Sequence, residues 1–344
     1  MRKKTSNPGK GRWSRGESEL LRRFKSAARF IERHARDDSG VRLGIGDDAA
    51  IWRPRAGFET VLTCDWFLEG THFLRKTHSP DAVGWKCLAR AVSDLAAMGA
   101  EPRCFLLSLA LPESCCGKWL DEFLHGLRRA AIKLGCVLAG GDTTRQDKIL
   151  INISVVGEVE RSVGALRSGA RPGDKIYVSG HLGEAELGWR LLQRDKKAAA
   201  SNQALLQKHF YPEPRIQLGR WLVKDRIATA MMDLSDGLSS DLARLCEASN
   251  AGAQVRESAI PIPGMAFARS FKLQEMRRAA LHGGDDYELL FTVRPAHSKK
   301  VGRLFRGVPL SEIGEITGER RLTILDSNGR SSLLDPQGWD PFQK

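Results

Sequence analysis

Hydrophobic and polar positions along this chain follow two rhythms, one typical of helices and one typical of strands. Apolar residues recur at helical spacing over residues 20–31, after a capping-box pattern at 14–17, and this predicts a first helix. A second helix is predicted from Pro80 to just before Gly99, and a third over residues 119–134. Short apolar or alternating runs predict strands at 40–52, 60–65, 105–111, 137–139 and 149–159.

The same mixture of elements returns after a turn-rich connector. Residues 167–174 have the sequence RSGARPGD, in which Gly, Pro and charged residues are typical of a linker. We therefore predict a basic, disordered tail at 1–15, an N-terminal domain at 16–165 and a C-terminal domain at 166–344. Helices and antiparallel-looking strands occur in both domains, so the predicted fold class is α+β, or mixed α/β, with two similar halves.

Composition narrows the class of protein. Of the 344 residues, 42% are hydrophobic and 28% are charged, which is typical of a globular protein with a real core. No run approaches the roughly 18 apolar residues that a membrane span needs, and the N-terminus has no apolar signal region. The seven cysteines form no Cys-x-x-Cys pair, so neither a zinc site nor a disulfide framework is expected. These features predict a cytoplasmic protein.

The net charge of +13 is partly local. Residues 1–16 contain six Lys and Arg residues and no acid. A solvated tail explains this run better than contact with nucleic acid or with an anionic surface. The remaining excess of positive charge fits solubility, or steering of anionic substrates.

Acidic residues recur in short, Gly-flanked, apolar segments, and these carry the candidate chemistry. Burying one carboxylate is costly unless a cation or hydrogen-bond donors compensate, and burying several together calls for metal ions. Mg²⁺ accepts carboxylate and phosphate oxygens together. The pattern therefore predicts Mg²⁺-dependent chemistry on phosphates. The segments are GIGDDA at 44–49, TCD at 63–65, SDL at 93–95, GGDTT at 140–144, DLSDG at 233–237 and GGDDYE at 283–288.

Other protein classes, and purely structural roles of single residues, are alternatives to this prediction. Residues 44–49 match the Gly-x-Gly-x-x-Ala pattern of dinucleotide folds, but their two Asp side chains would repel a pyrophosphate. The chain contains neither a P-loop motif nor the protein-kinase signature set. Taken singly, the acids also have structural explanations. These are an ion pair between Arg90 and Asp94, a turn cap at Asp65, an ordinary histidine at 72 and a helix N-cap at Ser235 or Asp236.

Taken in order, the motifs resemble those of thiamine-monophosphate kinases, which belong with aminoimidazole ribonucleotide synthetase and selenophosphate synthetase. The resemblance runs from Gly16 to Phe342 and is most specific at SDLAAMGA (93–100) and GGDTTR (140–145). It also includes EGTHF (69–73), DLSDGL (233–238) and GGDDYEL (283–289). The resemblance implies a two-domain PurM-like kinase fold whose N-terminal sheets form a barrel across a homodimer. It also implies ATP-dependent phosphorylation of thiamine monophosphate to thiamine diphosphate.

The resemblance further implies a set of site residues, with ATP and several Mg²⁺ ions bound largely by the N-terminal domain. Asp94, Asp142 and Arg167 are implied to act in catalysis, and ATP to lie near Gly141, Asp142, Arg167 and Ser235. Thiamine monophosphate is implied to lie near His72, Asp285 and Trp339. The implied Mg²⁺ ligands are Asp48, Thr63, Cys64, Asp65, Asp94, Asp142, Asp233 and Asp236.

Two positions depart from the family pattern, and three alternatives stay open. Cys64 stands where the family commonly has a hydroxyl residue, and Asp285 stands where it often has Glu. One alternative is a selenophosphate synthetase-like enzyme, although no Cys precedes Cys64 in the N-terminal loop. A nucleic-acid-binding protein lacks an evident motif here. A catalytically inactive relative would not need the near-complete set of acids.

Overall fold

The architecture is described from a computed structural model of the chain. The structure describes residues 12–35, 38–194, 203–264 and 266–342, except for the side chains of 12–18 and 203. The predicted tail at 1–15 therefore lies outside the described residues, apart from its last four, which begin the first helix. Within these ranges, no helix combines the length and apolar character needed to cross a membrane.

Helices and strands alternate through both halves of the chain. The helices are α1 Arg12–His34, α2 Pro80–Ala97, α3 Lys118–Leu134, α4 Glu184–Arg194, α5 Gln203–Phe210, α6 Ile216–Lys224, α7 Leu238–Ala248, α8 Leu273–His282 and α9 Ser298–Val301. The strands are β1 Val41–Leu43, β2 Ile51–Trp52, β3 Phe58–Leu68, β4 Glu101–Leu111, β5 Val137–Arg145, β6 Leu150–Glu160, β7 Lys175–Ser179, β8 Ala228–Leu234, β9 Gly252–Arg256, β10 Glu288–Val293, β11 Leu304–Phe305, β12 Val308–Thr317, β13 Leu322–Leu325 and β14 Ser331–Leu333.

The N-terminal half contains a four-stranded sheet in the order β3-β6-β4-β5. Only β4 and β5 run parallel; the other neighbours are antiparallel. Because side chains alternate along a strand, one face of the sheet packs against helices and the other stays open. Leu62, Trp66 and Leu106 lie on the open face and are 71%, 56% and 41% exposed.

The C-terminal half contains an eight-stranded mixed sheet. Its order is β14-β13-β9-β12-β7-β10-β8, with β11 pairing to β12. The pairs are antiparallel except for β13 with β9. The mixed α/β fold class predicted from the sequence is confirmed.

Helix α2 joins the two halves. Ser79 caps it by accepting a hydrogen bond from the Ala82 N–H, and Pro80 occupies its first turn, as the sequence predicted. Fourteen of its 18 residues are buried, so the helix is covered on nearly every side. One hydrophobic cluster includes Leu88 from α2 and Phe291 from β10. The two halves therefore share a core.

Two predicted strands are longer than their sequence pattern indicated. The prediction ended one strand at Ala139, before a Gly-Gly-Asp turn, whereas β5 continues to Arg145. A side chain at Gly141 would lie 1.9 Å from the Leu107 carbonyl oxygen, so glycine permits the close approach of β5 to β4. Likewise, β3 continues past Asp65 to Leu68, which places this acid in mid-strand rather than in a turn.

Helices α2 and α3 pack with their backbones in close contact. A Cβ atom at Gly126 would lie 1.9 Å from the Asp81 carbonyl oxygen. Because this forces the helices apart, we expect Gly126→Ala to lower the free energy of unfolding by about 1–3 kcal/mol. Urea unfolding would measure the change, with Gly264→Ala as the control, since that Cβ meets nothing within 4 Å. Equal effects of the two substitutions would contradict the prediction.

Candidate active site

A cavity of about 790 Å³ lies between the two halves of the chain. Helix α2 and strand β3 form one wall, and the segments that follow β8 and α8 form another. The predicted site residues in its lining are Asp65, His72, Asp94, Asp233, Ser235, Asp236, Asp285 and Trp339. The fold thus brings together acids that are more than 100 residues apart in sequence.

Strand β3 presents Thr63 and Asp65 to helix α2. The Thr63 hydroxyl donates a hydrogen bond to Asp94 Oδ2 at 2.5 Å. Burial raises the pKa of Asp65 to about 6, and neighbouring carboxylates act in the same direction. Cys64 lies between them in sequence, and its side chain is exposed. Because neighbouring strand residues point to opposite faces, Cys64 faces away from the cavity.

A hydrogen bond connects α2 to the end of β8 across the two halves. Ser93 Oγ donates to Asp233 Oδ2 at 2.7 Å, and both side chains are buried. Burial raises the pKa of Asp233, and the charge of Asp94 raises it further. These carboxylates therefore crowd together with too little positive charge, which is the condition that a bound cation relieves.

The turn after β8 is held by an acid that the sequence analysis did not single out. Asp241 Oδ2 accepts hydrogen bonds from the backbone N–H groups of residues 235, 236 and 237 at 3.0–3.1 Å. Asp241 thus holds the turn that leads into α7. Neither Ser235 nor Asp236, which the sequence analysis had considered as the helix N-cap, has that position, because the N-cap residue is Gly237. Arg244 donates to both Asp236 and Asp241. The turn is therefore fixed by its own helix.

Asp285 sits in a strained turn and is held by two hydrogen bonds. Its φ is 69°, in the left-handed region. Lys86 Nζ donates to Asp285 Oδ2 at 2.7 Å, and the Tyr287 hydroxyl donates to Oδ1 at 2.7 Å. Burial opposes the ionised form of Asp285, but the charges of Lys86 and Arg90, together with the hydrogen bond from Lys86, outweigh it and hold the pKa well below its usual range. This carboxylate is therefore ionised and fixed in position.

The neighbouring Asp286 has a structural role. Its Oδ2 accepts a hydrogen bond from the Gly183 N–H at 2.6 Å, just before α4. Burial raises the pKa of Asp286 to about 8, so its carboxyl group is largely protonated at neutral pH. Two adjacent acids in one motif thus carry opposite protonation states.

His72 is a neutral hydrogen-bond donor at the cavity wall. Burial lowers its pKa to about 4, and the charge of Arg90 acts in the same direction. Its Nδ1 accepts a hydrogen bond from the Leu68 N–H at 3.0 Å. The ring proton is then on Nε2, which can donate to an anion.

Six predicted site residues lie outside the cavity lining. Thr63 is half-buried, and the other five are exposed: Asp48, Cys64, Gly141, Asp142 and Arg167. Asp142 pairs with Ser108 across β5 and β4, on the open face of the N-terminal sheet. Among the described side chains, no three His, Cys, Asp or Glu residues are gathered closely enough to hold a metal ion. The structure thus unites the residues around Asp65 and leaves a second group apart.

The cavity and its wall also include residues that the sequence analysis did not predict as site residues. Lys86 and Arg90 precede Asp94 by eight and four positions, so they share its face of α2. This helical spacing is the sequence signal that could have identified both residues. Arg90 had been considered as an ion-pair partner of Asp94, whereas its recorded ion pair, at 3.9 Å, is with Asp65. Trp189 and His209 line the opposite end, and no local motif marks them.

Comparison with known proteins identifies the family to which this chain belongs. Two family profiles match: "AIR synthase related protein, N-terminal domain" at residues 46–159 and "AIR synthase related protein, C-terminal domain" at residues 171–327. The thiamine-monophosphate kinase of Haemophilus influenzae is 37% identical over 335 residues, covering 96% of this chain and 98% of that protein. The chain belongs to the thiamine-monophosphate kinase family.

Solved structures of thiamine-monophosphate kinases have the same fold. The enzyme of Stenotrophomonas maltophilia K279a superposes with a TM-score of 0.78 at 35% identity, covering 91% of this chain and 96% of that one. The structure of AaThiL complexed with AMPPCP and TMP gives a TM-score of 0.74 at 31% identity, covering 98% and 100%. The family resemblance inferred from the sequence motifs is confirmed.

Proposed function

We propose that this protein transfers the γ-phosphate of ATP to thiamine monophosphate, yielding thiamine diphosphate and ADP. The observation that carries the proposal is the cavity between the halves, where carboxylates of Asp65, Asp94 and Asp233 converge. They lie in segments that correspond to the motifs of the thiamine-monophosphate kinase family. Aromatic residues at the other end of the cavity suit the two rings of thiamine.

We propose Mg²⁺ as the cation of this site. The donor set fits a hard divalent ion, because it consists of carboxylates with one hydroxyl. The pKa of Asp65 agrees with this fit: burial raises it, and the charges of Asp94 and Asp236 add to the rise against the opposing charge of Arg90. When bound, Mg²⁺ neutralises charge on phosphate oxygens. The proposed ligands in or beside the cavity are Thr63, Asp65, Asp94, Asp233 and Asp236.

We propose that the five exposed residues bind the nucleotide and its metal ions. Asp48, Cys64 and Asp142 are proposed as further contacts to metal, and Gly141 and Arg167 as contacts to ATP. Ser235 lines the cavity and is proposed as a third contact to ATP. Asp142 and Arg167 retain their proposed catalytic roles.

The reaction requires positioning more than acid–base chemistry. An oxygen of the substrate phosphate bonds to the γ-phosphorus of ATP, the bond to the β–γ bridging oxygen breaks, and ADP leaves. That phosphate oxygen is already ionised near neutral pH, so no general base is needed. The protein must bring two anions together and hold them in line. Asp285, His72 and Trp339 are proposed to hold the thiamine monophosphate.

The direct test is an assay of the purified protein with ATP, Mg²⁺ and thiamine monophosphate. We expect thiamine diphosphate and ADP in equal amounts, and neither product when Mg²⁺ is chelated. ATP alone serves as the control for uncoupled hydrolysis. The proposal fails if no thiamine diphosphate forms across a range of Mg²⁺ and K⁺ concentrations. Product formation from selenide instead would support the selenophosphate synthetase-like alternative.

We propose that the β3 side of the open face of the N-terminal sheet binds a second copy of this chain, giving a homodimer, and that β5, the opposite edge strand with Gly141 and Asp142, stays accessible to the nucleotide. The face exposes Leu62, Trp66 and Leu106, an apolar patch that water would solvate poorly. We expect Leu62→Lys to convert the dimer to a monomer, because a charge would be buried in the contact. Leu304→Lys is the matched control, since Leu304 is 64% exposed on β11, in the other half. Light scattering after gel filtration would measure both masses, and two unchanged masses would contradict the prediction.

We also propose a cytoplasmic location. All seven cysteines are free thiols, and four of them are deeply buried within the N-terminal half. A reducing compartment keeps such thiols unpaired. The four are Cys87, Cys104, Cys115 and Cys136.

A further inference from the structure

Arg90 is a cation in the cavity wall for which the function proposed above assigns no ligand. It lies on α2, one turn before Asp94, and lines the cavity. Its side chain is only 15% exposed, although its guanidinium remains charged at every pH that a protein experiences. A charge removed from water in this way needs compensation by hydrogen bonds or by an anion.

The acids around Arg90, including Asp65 and Asp285, compensate its charge, but the described residues do not satisfy all of its hydrogen-bond donors. Arg90 Nε is buried and has no hydrogen-bond partner within the described ranges. Its distance to Asp65 Oδ2 is 3.9 Å, which exceeds hydrogen-bond length. The guanidinium also lies over the Phe67 ring at 5.3 Å, which satisfies none of its N–H groups. The cavity therefore contains a fixed cation with an unused donor.

A second arginine of the same cavity shows the contrast. Arg190 also lines the cavity, but its Nε donates to Glu186 Oε1 at 2.6 Å. Its charge is thus already paired by a residue of its own helix, one turn away. Since Arg90 has no such bond, the two arginines differ in what they can offer a ligand.

The position of Arg90 indicates which ligand would use its donors. Its charge acts on Asp285 and His72, and also on Asp65, and all of these residues line the same cavity. Arg90 is therefore close both to residues proposed for the thiamine group and to one proposed for metal, where the two groups meet. In a molecule with rings at one end and a phosphate at the other, the phosphate lies at this junction. A planar guanidinium can donate to two phosphate oxygens at once.

We propose that Arg90 binds the phosphate of thiamine monophosphate and orients the oxygen that attacks ATP. This inference rests on the proposed function and adds a residue to it. Arg90 then also contributes to selectivity, because a ligand without the phosphate cannot accept hydrogen bonds from its guanidinium. The site would therefore distinguish thiamine monophosphate from thiamine at the binding step.

The test compares two ligands and two arginines. Calorimetry without ATP would measure the affinities of thiamine monophosphate and thiamine for wild type, Arg90→Gln and Arg190→Gln. We expect Arg90→Gln to weaken thiamine monophosphate by about 10- to 100-fold, the usual range for a charged hydrogen bond. Thiamine should bind wild type and Arg90→Gln within about twofold of each other. Arg190→Gln should alter neither affinity by more than that, because its charge pairs within the protein.

Kinetics provide an independent measurement. In Arg90→Gln the KM for thiamine monophosphate should rise while the KM for ATP stays near that of wild type. Arg90→Lys should recover part of the loss, since it keeps the charge but lacks the planar fork. This variant also serves if Arg90→Gln does not fold, which circular dichroism and thermal unfolding would show.

Specific results would overturn the inference. Equal weakening of both ligands would mean that Arg90 acts only by shaping the cavity. A rise confined to the KM for ATP would mean that it faces the nucleotide. Unchanged affinities in Arg90→Gln, with an active wild type, would remove this inference alone. A wild type that neither binds nor phosphorylates thiamine monophosphate would instead remove the proposed function.

Discussion

Asp94→Asn is expected to lower kcat for thiamine diphosphate formation by about 10²- to 10³-fold, the effect of removing one electrostatic contact to a transition state. The amide can still accept the hydrogen bond from Thr63, so the local geometry is kept. What is lost is negative charge beside Asp233, where the proposed cation must bind. Without metal, the same substitution relieves repulsion, so the unfolding temperature should stay equal or rise.

The matched control is Asp286→Asn. The carboxyl group of Asp286, with its pKa raised to about 8, is already largely neutral, and an amide oxygen can accept from Gly183 equally well. Its kcat should stay within a few-fold of wild type. Steady-state kinetics and thermal unfolding of both variants would measure the contrast. Normal turnover in Asp94→Asn, or equal losses in both variants, would refute the metal-cluster proposal.

Glu288→Gln is expected to lower the free energy of unfolding at neutral pH by about 3 kcal/mol. Glu288 is fully buried and accepts hydrogen bonds from Lys208 and Arg215 at 2.5–2.6 Å. Burial opposes its charge, but these two cations lower its pKa from 4.5 to about 2. That shift, at 1.36 kcal/mol per unit, gives the estimate. A neutral amide would leave two half-buried cations without the carboxylate that they share.

The pH dependence follows from the direction of this pKa shift. Because the folded-state pKa is depressed, the stabilisation is present above about pH 4.5 and is lost as the pH falls towards 2. The difference between wild type and Glu288→Gln in urea unfolding should therefore shrink below about pH 4.5. Glu315→Gln is the control, since Glu315 pairs with Lys175 at the surface and should contribute less than about 1 kcal/mol. A constant difference from pH 7 to pH 3.5 would contradict the assignment.

Local signals in the sequence were sufficient where neighbouring residues decide the structure. The start of α2 followed from Ser79 and Pro80, because a cap and an N-terminal proline act within one turn. The family resemblance then supplied the substrate class, which no local physical signal in these residues could provide.

The sequence pattern could not predict contacts between segments that are distant along the chain. The Gly-Gly-Asp segment was predicted as a turn, but pairing with β4 extends it as a strand and directs Asp142 to the open face. The role of Asp241 in holding the turn before α7 was missed because three backbone N–H groups converge on it only in the folded turn. The unused donor of Arg90 depends on how α2 packs between both halves, which no spacing in the sequence encodes.

The burial of α2 between the halves also limits how this enzyme can move. A Cβ atom on Gly219 of α6 would lie 2.0 Å from the Ala96 carbonyl oxygen, so the two helices touch through their backbones. A hinge motion of one half against the other would open this contact and break the bond between Ser93 and Asp233. Substrates should therefore enter a preformed chamber, and any closure over them must come from surface loops at its mouth.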